Sequence, residues 1–331
     1  MKSNGMIINR RTFSLGLGAA ALGAHMPEAF AQAASFPDRP VRVVFPYGAG
    51  GGPDTTLRLV SSRAEKILGG TIVVENRPGA GGTIGTGYVK LAAPDGYTLM
   101  QGSHSTHSTN PFLYKNLSYD PVADFEPITL LTVSRTFLIV PASLGVSSVK
   151  ELLAYAKKKG GLTYASPGIG SGGHIGGAML GKAFGVPATH VPYKGSGATR
   201  ADVIAGRVDL IFNSVLPYMG EVETGAVKVL ALAHDERFPG LPDVPTMAEL
   251  GYPDIEIHNW FGLFAPAKTP GPILDKLNSS FTSAANMPEV KEIAYKQGFL
   301  VQTTSREEFS KFLKDQIVRM GKVVKEVGIS L

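Results

Sequence analysis

The feature that most constrains the fold is a repeated order of short apolar strand, glycine-rich turn and helix. Residues 41–46 (VRVVFP) are rich in β-branched residues and predict a strand, which leads into GAGGG at 48–52 and a helical pattern from Pro53. The same order recurs at 162–166 (LTYAS), followed by PGIGSGGH at 167–174. Strands that alternate with helices in this way predict parallel α/β sheets.

Other short apolar runs predict further strands, at 71–75, 97–100, 137–140, 189–192, 208–212 and 227–232. With 331 residues, the chain has the length of two ordinary domains or one large one. We predict a discontinuous first domain, residues 34–136 and 260–331, and a second domain, residues 137–259. Because ligands of open parallel sheets bind beyond the carboxyl ends of the strands, the glycine-rich turns of two facing domains would meet in one cleft.

The first 33 residues predict a secretory signal peptide and therefore a periplasmic protein. Arg10 and Arg11 are followed by Phe13, as in twin-arginine signals, and a short apolar run covers 15–22. Ala-Gln-Ala at 31–33 is a cleavage site of the A-x-A type, so we expect cleavage near Ala33. The alternative is a cytosolic protein with a disordered start.

The glycine-rich junctions predict an anion site. A helix that begins at such a turn offers free backbone N–H groups, and glycine lets the backbone approach a ligand. Gly168, Gly170 and Gly173 have the G-x-G-x-x-G spacing of dinucleotide-binding loops. However, no acidic residue that could hold a ribose follows until Asp202, and the motif lies in the second unit of an exported chain. The spacing therefore favours a different anion, and we expect no cofactor.

Catalytic, metal and nucleic-acid sites find little support in the sequence. The chain has no cysteine, which removes disulfides, thiol catalysis and thiolate ligands. No serine lies in a G-x-S-x-G motif, and His104 and His107 lack a convincing third ligand for a metal. The formal net charge is +5, without a basic stripe that would fit a nucleic acid. We therefore predict no catalytic residues, no metal and no nucleic-acid partner.

Several segments, taken in order, resemble one known family. They are FPYGAGGGPDTTLR (45–58), VENRPGAGGTIG (74–85), PDGYTL (94–99), YASPGIGSGGH (164–174), HVPYKG (190–195), DVPTMAELG (243–251) and WFGLFAPAKTP (260–270). In this respect the chain resembles the periplasmic solute receptors of tripartite tricarboxylate transporters, the Bug or TctC-like family. The resemblance implies an α/β protein of the type II periplasmic-binding-protein fold, with two α/β domains, crossing strands and a central ligand cleft.

The resemblance also implies which residues bind the ligand. A carboxylate would sit between the two glycine-rich junctions, held by backbone N–H groups, hydroxyls and ordered waters. The expected ligand-binding residues are Tyr47, Gly50, Gly51, Asp54, Ser103, Ser166, Gly168, Gly170, Ser171, Tyr193 and Asn213, together with His174, which directly follows the second glycine-rich turn.

Two of these residues have a second interpretation. His174 either lines the cleft or caps a helix, and Asp54 is also placed to pair with Arg58 inside its own helix. No lone arginine is evident that would clamp a carboxylate. Backbone amides would then hold the anion, which favours small acids or acids with an uncharged tail.

The expected function is a monomeric, non-catalytic receptor that captures a small carboxylated metabolite in the periplasm and presents it to the membrane permease subunits of a tripartite transporter. Two alternatives stay open. One is an exported α/β enzyme that acts on an organic acid, and the other is an orphan receptor that signals to a sensor partner.

Export by the twin-arginine route can be tested directly. Replacing Arg10 and Arg11 by lysine keeps the positive charge but removes the arginine pair, so unprocessed precursor should accumulate in the cytoplasm. Cell fractionation and immunoblotting measure this. Normal processing of the double variant would indicate the general secretory route instead.

Overall fold

The computed structural model describes residues 36–329, which form one unit from Pro37 onward. The predicted signal peptide, residues 1–33, lies outside the described residues. The strands are β1 (Val41–Phe45), β2 (Ile72–Asn76), β3 (Thr98–Ser103), β4 (Phe125–Ser134), β5 (Phe137–Pro141), β6 (Leu162–Ser166), β7 (Ala188–Pro192), β8 (Leu210–Asn213), β9 (Val227–Leu232), β10 (Asn259–Pro266) and β11 (Leu300–Val301).

The helices surround two sheets built from these strands. They are α1 (Gly52–Leu68), α2 (Thr83–Lys90), α3 (Asn110–Leu113), α4 (Val149–Lys159), α5 (Gly172–Phe184), α6 (Ser196–Ile204), α7 (Met219–Glu223), α8 (Gly271–Ala285), α9 (Pro288–Lys296) and α10 (Arg306–Val327). One sheet has six strands in the order β11-β4-β10-β3-β1-β2, and the other has five in the order β7-β6-β8-β5-β9. In the part of the chain that the structure describes, every helix is too short or too polar to span a bilayer.

Both sheets are mixed, so the prediction of parallel sheets is wrong in part. The strands β1, β2 and β3 run parallel to one another, as do β6, β7 and β8. However, β10 is antiparallel to β3 and β4, and β5 is antiparallel to β8 and β9. The antiparallel pairs arise because the chain passes from one sheet to the other between β4 and β5 and returns between β9 and β10.

The two passages between the sheets lie side by side. The N–H of Ala233 donates to the carbonyl of Thr136 at 2.8 Å, and the N–H of Ile257 donates to the carbonyl of Ala233 at 3.0 Å. The Asn259 Nδ2 donates to Thr136 Oγ1 at 3.1 Å. These bonds hold the two connections next to each other. The predicted domain boundaries stay a prediction.

The C-terminal helices return to the six-stranded sheet. Helix α10 begins with a capping box, in which Ser305 and Glu308 each bond the other's backbone N–H. Its Phe309 packs against Trp260 and Phe264 of β10, with ring centroids 5.7 Å and 5.0 Å apart. Trp260 is fully buried in this cluster, which anchors the last helix on the sheet.

Glycines in α5 bring this helix unusually close to the five-stranded sheet. A Cβ at Gly177 would lie within 2.5 Å of Tyr164 Cγ, and one at Gly181 would lie 2.5 Å from Ala188 Cβ. A Cβ at Gly173, the third glycine of the motif, would lie 2.7 Å from the carbonyl oxygen of Phe212. The glycines inside α5 are therefore packing residues, which explains why a helix contains so many of them.

Gly177→Ala should destabilise the protein. The added methyl group would overlap the buried Tyr164 ring, and overpacking of this kind costs about 1–3 kcal/mol, more than the gain in helix propensity of about 1 kcal/mol. Gly197→Ala in α6 is the matched control, since a Cβ there meets no atom within 4 Å and should stabilise the protein. Urea unfolding measures both free energies. A Gly177→Ala variant as stable as Gly197→Ala would contradict this account.

Candidate functional site

The first glycine-rich junction connects β1 to α1. Gly50 has a φ of +84°, which favours glycine, and a Cβ at Gly48 or Gly50 would meet no atom within 4 Å. The loop therefore borders open space. At the start of α1 the backbone N–H groups of Gly51, Gly52 and Asp54 make no hydrogen bond to any described residue. This junction therefore presents free donors.

The Asp54 carboxylate accepts hydrogen bonds from the glycine-rich loop and from side chains beside it. Its Oδ2 accepts from the Gly50 N–H at 3.0 Å and from Arg58 Nε at 3.1 Å, and its Oδ1 accepts from Asn76 Nδ2 at 2.9 Å. Burial raises the pKa of the Asp54 carboxyl, but the bonds from Gly50, Arg58 and Asn76 outweigh it, so the pKa lies below its ordinary value. The carboxylate is ionised and fixes the loop, which agrees with the ion-pair interpretation of Asp54.

Tyr47 and Ser103 lie in direct contact. The Tyr47 hydroxyl lies 2.6 Å from Ser103 Oγ, and burial raises the pKa of this tyrosine. Ser103 ends β3 and leads into a π-helical turn, Ser105–Thr109, and Thr106 Oγ1 accepts from the Ser103 N–H at 2.9 Å. The turn is polar in sequence but buried throughout. The turn Ser105–Thr109 therefore places buried polar side chains beside Tyr47.

The π-helical turn and the residue before it contain two neutral histidines, His107 and His104. His107 stacks on Phe264 with ring centroids 3.9 Å apart, and its Nδ1 lies 2.9 Å from Thr106 Oγ1. Burial lowers the pKa of His107 to about 3 and that of His104 to about 3. Among residues 36–329, no group of three His, Cys, Asp or Glu side chains is arranged to hold a metal ion.

The second glycine-rich junction connects β6 to α5. Ser171 Oγ caps α5 by accepting from the His174 N–H at 3.3 Å and also donates to the Gly168 carbonyl at 2.6 Å. His174 Nδ1 accepts from the Gly170 N–H at 3.1 Å, so this histidine braces the turn. The N–H groups of Gly172 and Gly173 make no hydrogen bond to described residues. This helix start therefore also presents free donors.

Ser166 is buried behind this turn and is not exposed to solvent. Its buried hydroxyl donates to the Gly168 carbonyl at 2.9 Å and lies 2.6 Å from His190 Nε2. His190 stacks on His174 with centroids 3.9 Å apart, and burial lowers the pKa of each to about 4. His174 and His190 are therefore neutral near pH 7, and their hydrogen bonds to Gly170 and Ser166 hold the loop 167–171 in place.

The second junction contacts the π-helical turn Ser105–Thr109 and the residue that follows it, Asn110. A Cβ at Gly170 would lie 2.8 Å from Asn110 Oδ1 and 3.9 Å from Ser105 Cβ, and one at Gly81 would lie 3.4 Å from the carbonyl oxygen of Ile169. Gly170 and Gly81 both have positive φ, so these close approaches suit glycine. Elements of the two sheets thus meet at the loop 167–171.

Tyr193 and Asn213 occupy different positions. The Tyr193 hydroxyl donates to Asp202 at 2.6 Å, and only the backbone of Tyr193 adjoins the second junction, where its N–H donates to Ser166. Burial, together with the bond to Asp202, raises the pKa of Tyr193 to about 12. Asn213 is 8% exposed, and its Nδ2 has no hydrogen-bond partner among the described residues. Its amide is therefore an available donor.

Sequence reasoning missed Asn76 and Arg135. Asn76 bridges the Tyr47 carbonyl, at 3.1 Å, and Asp54. Its place at the end of a strand, before a glycine-rich turn, was a usable signal. Arg135 lies in the connection between β4 and β5 and lines a small pocket together with Phe137 and Phe299. No motif surrounds it in the sequence.

Comparison with known proteins gives consistent matches. The family model described as tripartite tricarboxylate transporter family receptor (TctC) matches residues 56–329. The solved structure of the periplasmic binding protein BugD is 36% identical, and the match covers 89% of this chain and 100% of BugD with a TM-score of 0.82.

Two further solved structures contain ligands. Rpa4515 of R. palustris, solved with adipate, is 32% identical over 89% of this chain and 100% of its own, with a TM-score of 0.83. MatC (Rpa3494) from Rhodopseudomonas palustris, with bound malate, is 34% identical over 87% of this chain and 100% of its own, with a TM-score of 0.81. These likenesses confirm the predicted α/β periplasmic-binding-protein fold.

The neutral, buried histidines predict a pH dependence. Unfolded histidine has a pKa near 6.5, so between pH 7 and pH 5 the unfolded chain binds protons that folded His107 does not. The free energy of unfolding should therefore fall as the pH falls, by about 2 kcal/mol over this range for each fully buried histidine. His107→Phe should show a shallower dependence in urea titrations at pH 5, 6 and 7. A slope equal to that of the wild type would contradict the assignment.

Proposed function

The chain belongs to the tripartite tricarboxylate transporter receptor family, and from this premise we propose that it is a periplasmic solute-binding receptor for a small carboxylate. The two similar proteins solved with ligands hold adipate and malate, and both of these are carboxylates. The residues that would bind the ligand in this chain, its export and its membrane partner are part of the proposal.

The proposal rests on one observation: two helix starts have backbone N–H groups without hydrogen-bond partners. The N–H groups at the start of α1 and those at the start of α5 have no protein partner among the described residues. Unpaired N–H groups at a helix N-terminus, together with the helix dipole, favour an anion. A carboxylate placed between the two junctions would satisfy donors from both.

Side chains near the junctions then have two roles. Tyr47, Ser103 and Asn213 would contribute hydroxyl or amide groups to the ligand. Asp54, Ser166, Ser171 and His174 would act mainly by holding the loops, since their polar atoms already bond loop backbone. Gly50, Gly51, Gly168 and Gly170 would let the ligand approach the backbone.

Capture would proceed by closure of the two sheets about the paired connections at Thr136 and Ala233. Hinge closure around a ligand at two narrow connections is a common motion of receptors of this kind. We propose that the closed, monomeric protein then delivers its ligand to the permease subunits of a tripartite transporter. A signalling role would use the same capture step and a different partner.

The enzyme alternative gains no support from the one short serine–histidine contact in this region. Ser166 Oγ lies 2.6 Å from His190 Nε2, which is the geometry of a nucleophile and its base. However, Ser166 is fully buried and its hydroxyl also bonds the Gly168 carbonyl. A substrate would not reach it without rebuilding the turn.

Ser171→Asp should weaken carboxylate binding strongly and spare the fold. Aspartate caps a helix as well as serine does, but it adds a negative charge beside the proposed site. At about 4 Å and an effective dielectric near 20, the repulsion is about 4 kcal/mol, so affinity should fall by a factor on the order of 100 or more. The probe is the acid that gives the largest thermal shift in a screen that includes malate and adipate, and calorimetry measures its Kd.

Ser148→Asp is the matched control. Ser148 caps α4 in the same way, by accepting from the Glu151 N–H at 3.1 Å, and it lies outside the proposed site. This variant should bind the probe as the wild type does. Undiminished binding by Ser171→Asp would show that the second junction does not hold the carboxylate.

A further inference from the structure

The last helix, α10, contacts both sheets of the protein. Its first turns pack on the six-stranded sheet, where the ring of Phe309 meets Trp260. Its last turns pack on the five-stranded sheet instead, where Val324 is 5% exposed and belongs to the apolar core that includes Leu180 and Phe184 of α5. One continuous helix therefore links the two sheets, in addition to the two chain connections between them.

Apolar and polar contacts together hold the end of α10 against the five-stranded sheet. Lys182 Nζ of α5 donates to the carbonyl of Glu326 at 2.7 Å, and a cation at this place suits the C-terminus of a helix. The partly buried apolar residues that pack against the same core are Val323, Val327 and Ile329. We name the segment 323–329 the clasp.

Between its two ends α10 passes the connections of the two sheets. Arg319 pairs with the Glu256 carboxylate at 2.7 Å and donates to the carbonyl of the same residue at 2.9 Å. Glu256 directly precedes Ile257, whose N–H bonds Ala233 in the paired connections. The clasp begins about one helical turn beyond Arg319, so it adjoins the place about which the sheets would close.

Helix α3 adds a second apolar group beside the clasp. Leu113 is 2% exposed and belongs to the same apolar core of the five-stranded sheet. A Cβ at Gly170 would lie 3.4 Å from Leu113 Cδ1, and one at Gly321 of α10 would lie 2.9 Å from Phe112 Cε1. The clasp and α3 therefore cover this core side by side, next to the second glycine-rich junction.

The two sheets are in the closed arrangement. Outside α10, Ser214 Oγ donates to the Gly298 carbonyl at 3.4 Å, and Phe238 stacks on Tyr295 with centroids 6.0 Å apart. A rotation that moved the five-stranded sheet away from α10 would expose the apolar side chains of the clasp to water, which is unfavourable. The clasp therefore favours closure even before a ligand binds.

We propose that the clasp stabilises the closed arrangement of the two sheets and so sets the affinity of the receptor without touching the ligand. The effect on affinity rests on the proposed function, whereas the effect on shape needs no ligand. The apparent Kd equals the Kd of the closed form divided by the fraction of molecules that are closed. Contacts that raise this fraction tighten the binding of every ligand alike, so the clasp governs affinity and not selectivity.

Val324→Lys should open the clasp. Lysine is a better helix former than valine and suits the last turn of a helix, but its charge is costly to bury in an apolar core. Small-angle X-ray scattering of the ligand-free variant should give a larger radius of gyration than that of the wild type. Calorimetry with the acid that gives the largest thermal shift should give a Kd raised about tenfold, in proportion to the fall in the closed fraction.

Val318→Lys is the matched control. It places the same charge on the same helix, at a residue that is 61% exposed and lies outside the clasp, so its radius of gyration and Kd should equal those of the wild type. Val324→Ala keeps the side chain apolar and should shift both quantities in the direction of Val324→Lys, but by less. This milder variant tests the proposal if the lysine variant does not fold, which circular dichroism shows.

The outcomes separate the clasp from the proposed function. A folded Val324→Lys variant with the radius of gyration or the Kd of the wild type would overturn the proposal. A loss of thermal stability alone would show that the segment 323–329 only supports the fold. If the wild type binds no acid of the screen, the proposed function fails, while the scattering of the ligand-free variants still decides whether the clasp holds the sheets together.

Discussion

Backbone N–H groups that α1 and α5 cannot satisfy internally determine the roles of the residues around them. The nearby side chains fix the loops and leave these donors free. Asp54 accepts from Gly50, and Ser171 and His174 bond the turn at Gly168 and Gly170. An arrangement in which side chains position the backbone, and the backbone meets the ligand, needs glycine where the ligand approaches and small polar residues just beside it.

Glycine serves two purposes here, and the sequence did not separate them. Gly168 and Gly170 have positive φ and form the turn, whereas Gly173 and Gly177 permit close packing of α5 on the sheet. The G-x-G-x-x-G spacing therefore mixes turn and packing glycines. The spacing correctly indicated a strand–turn–helix junction, because each of those roles is local. It could not name the anion, because in the proposed site the anion also contacts donors of a second, distant junction.

The strands that the sequence predicted are those with compact β-branched runs, such as Val41–Phe45 and Val227–Leu232. The prediction missed β4, β10 and the two-residue β11; β4 and β10 contain Pro127 and Gly262 and pair with two irregularities of register. These strands make the six-stranded sheet mixed, whereas the five-stranded sheet is mixed through β5, a strand that the sequence did predict. Arg135 was missed for a different reason. Among the arginines of residues 36–329 it alone forms no ion pair with an aspartate or glutamate, and only the folded chain determines this.

The charges near the first junction also explain why backbone donors, rather than side chains, would hold an anion there. Asp54 is ionised, and Arg58 and Asn76 neutralise or bond it, so the junction has little net attraction for an anion from side chains. Each neutral N–H donor contributes only about 0.5–1.5 kcal/mol, while a charged one contributes about 1.5–3 kcal/mol. A carboxylate held by donors from both sheets would lose part of its partners as soon as the sheets separate. Reversible release then follows from the geometry itself, without any side chain having to change its charge.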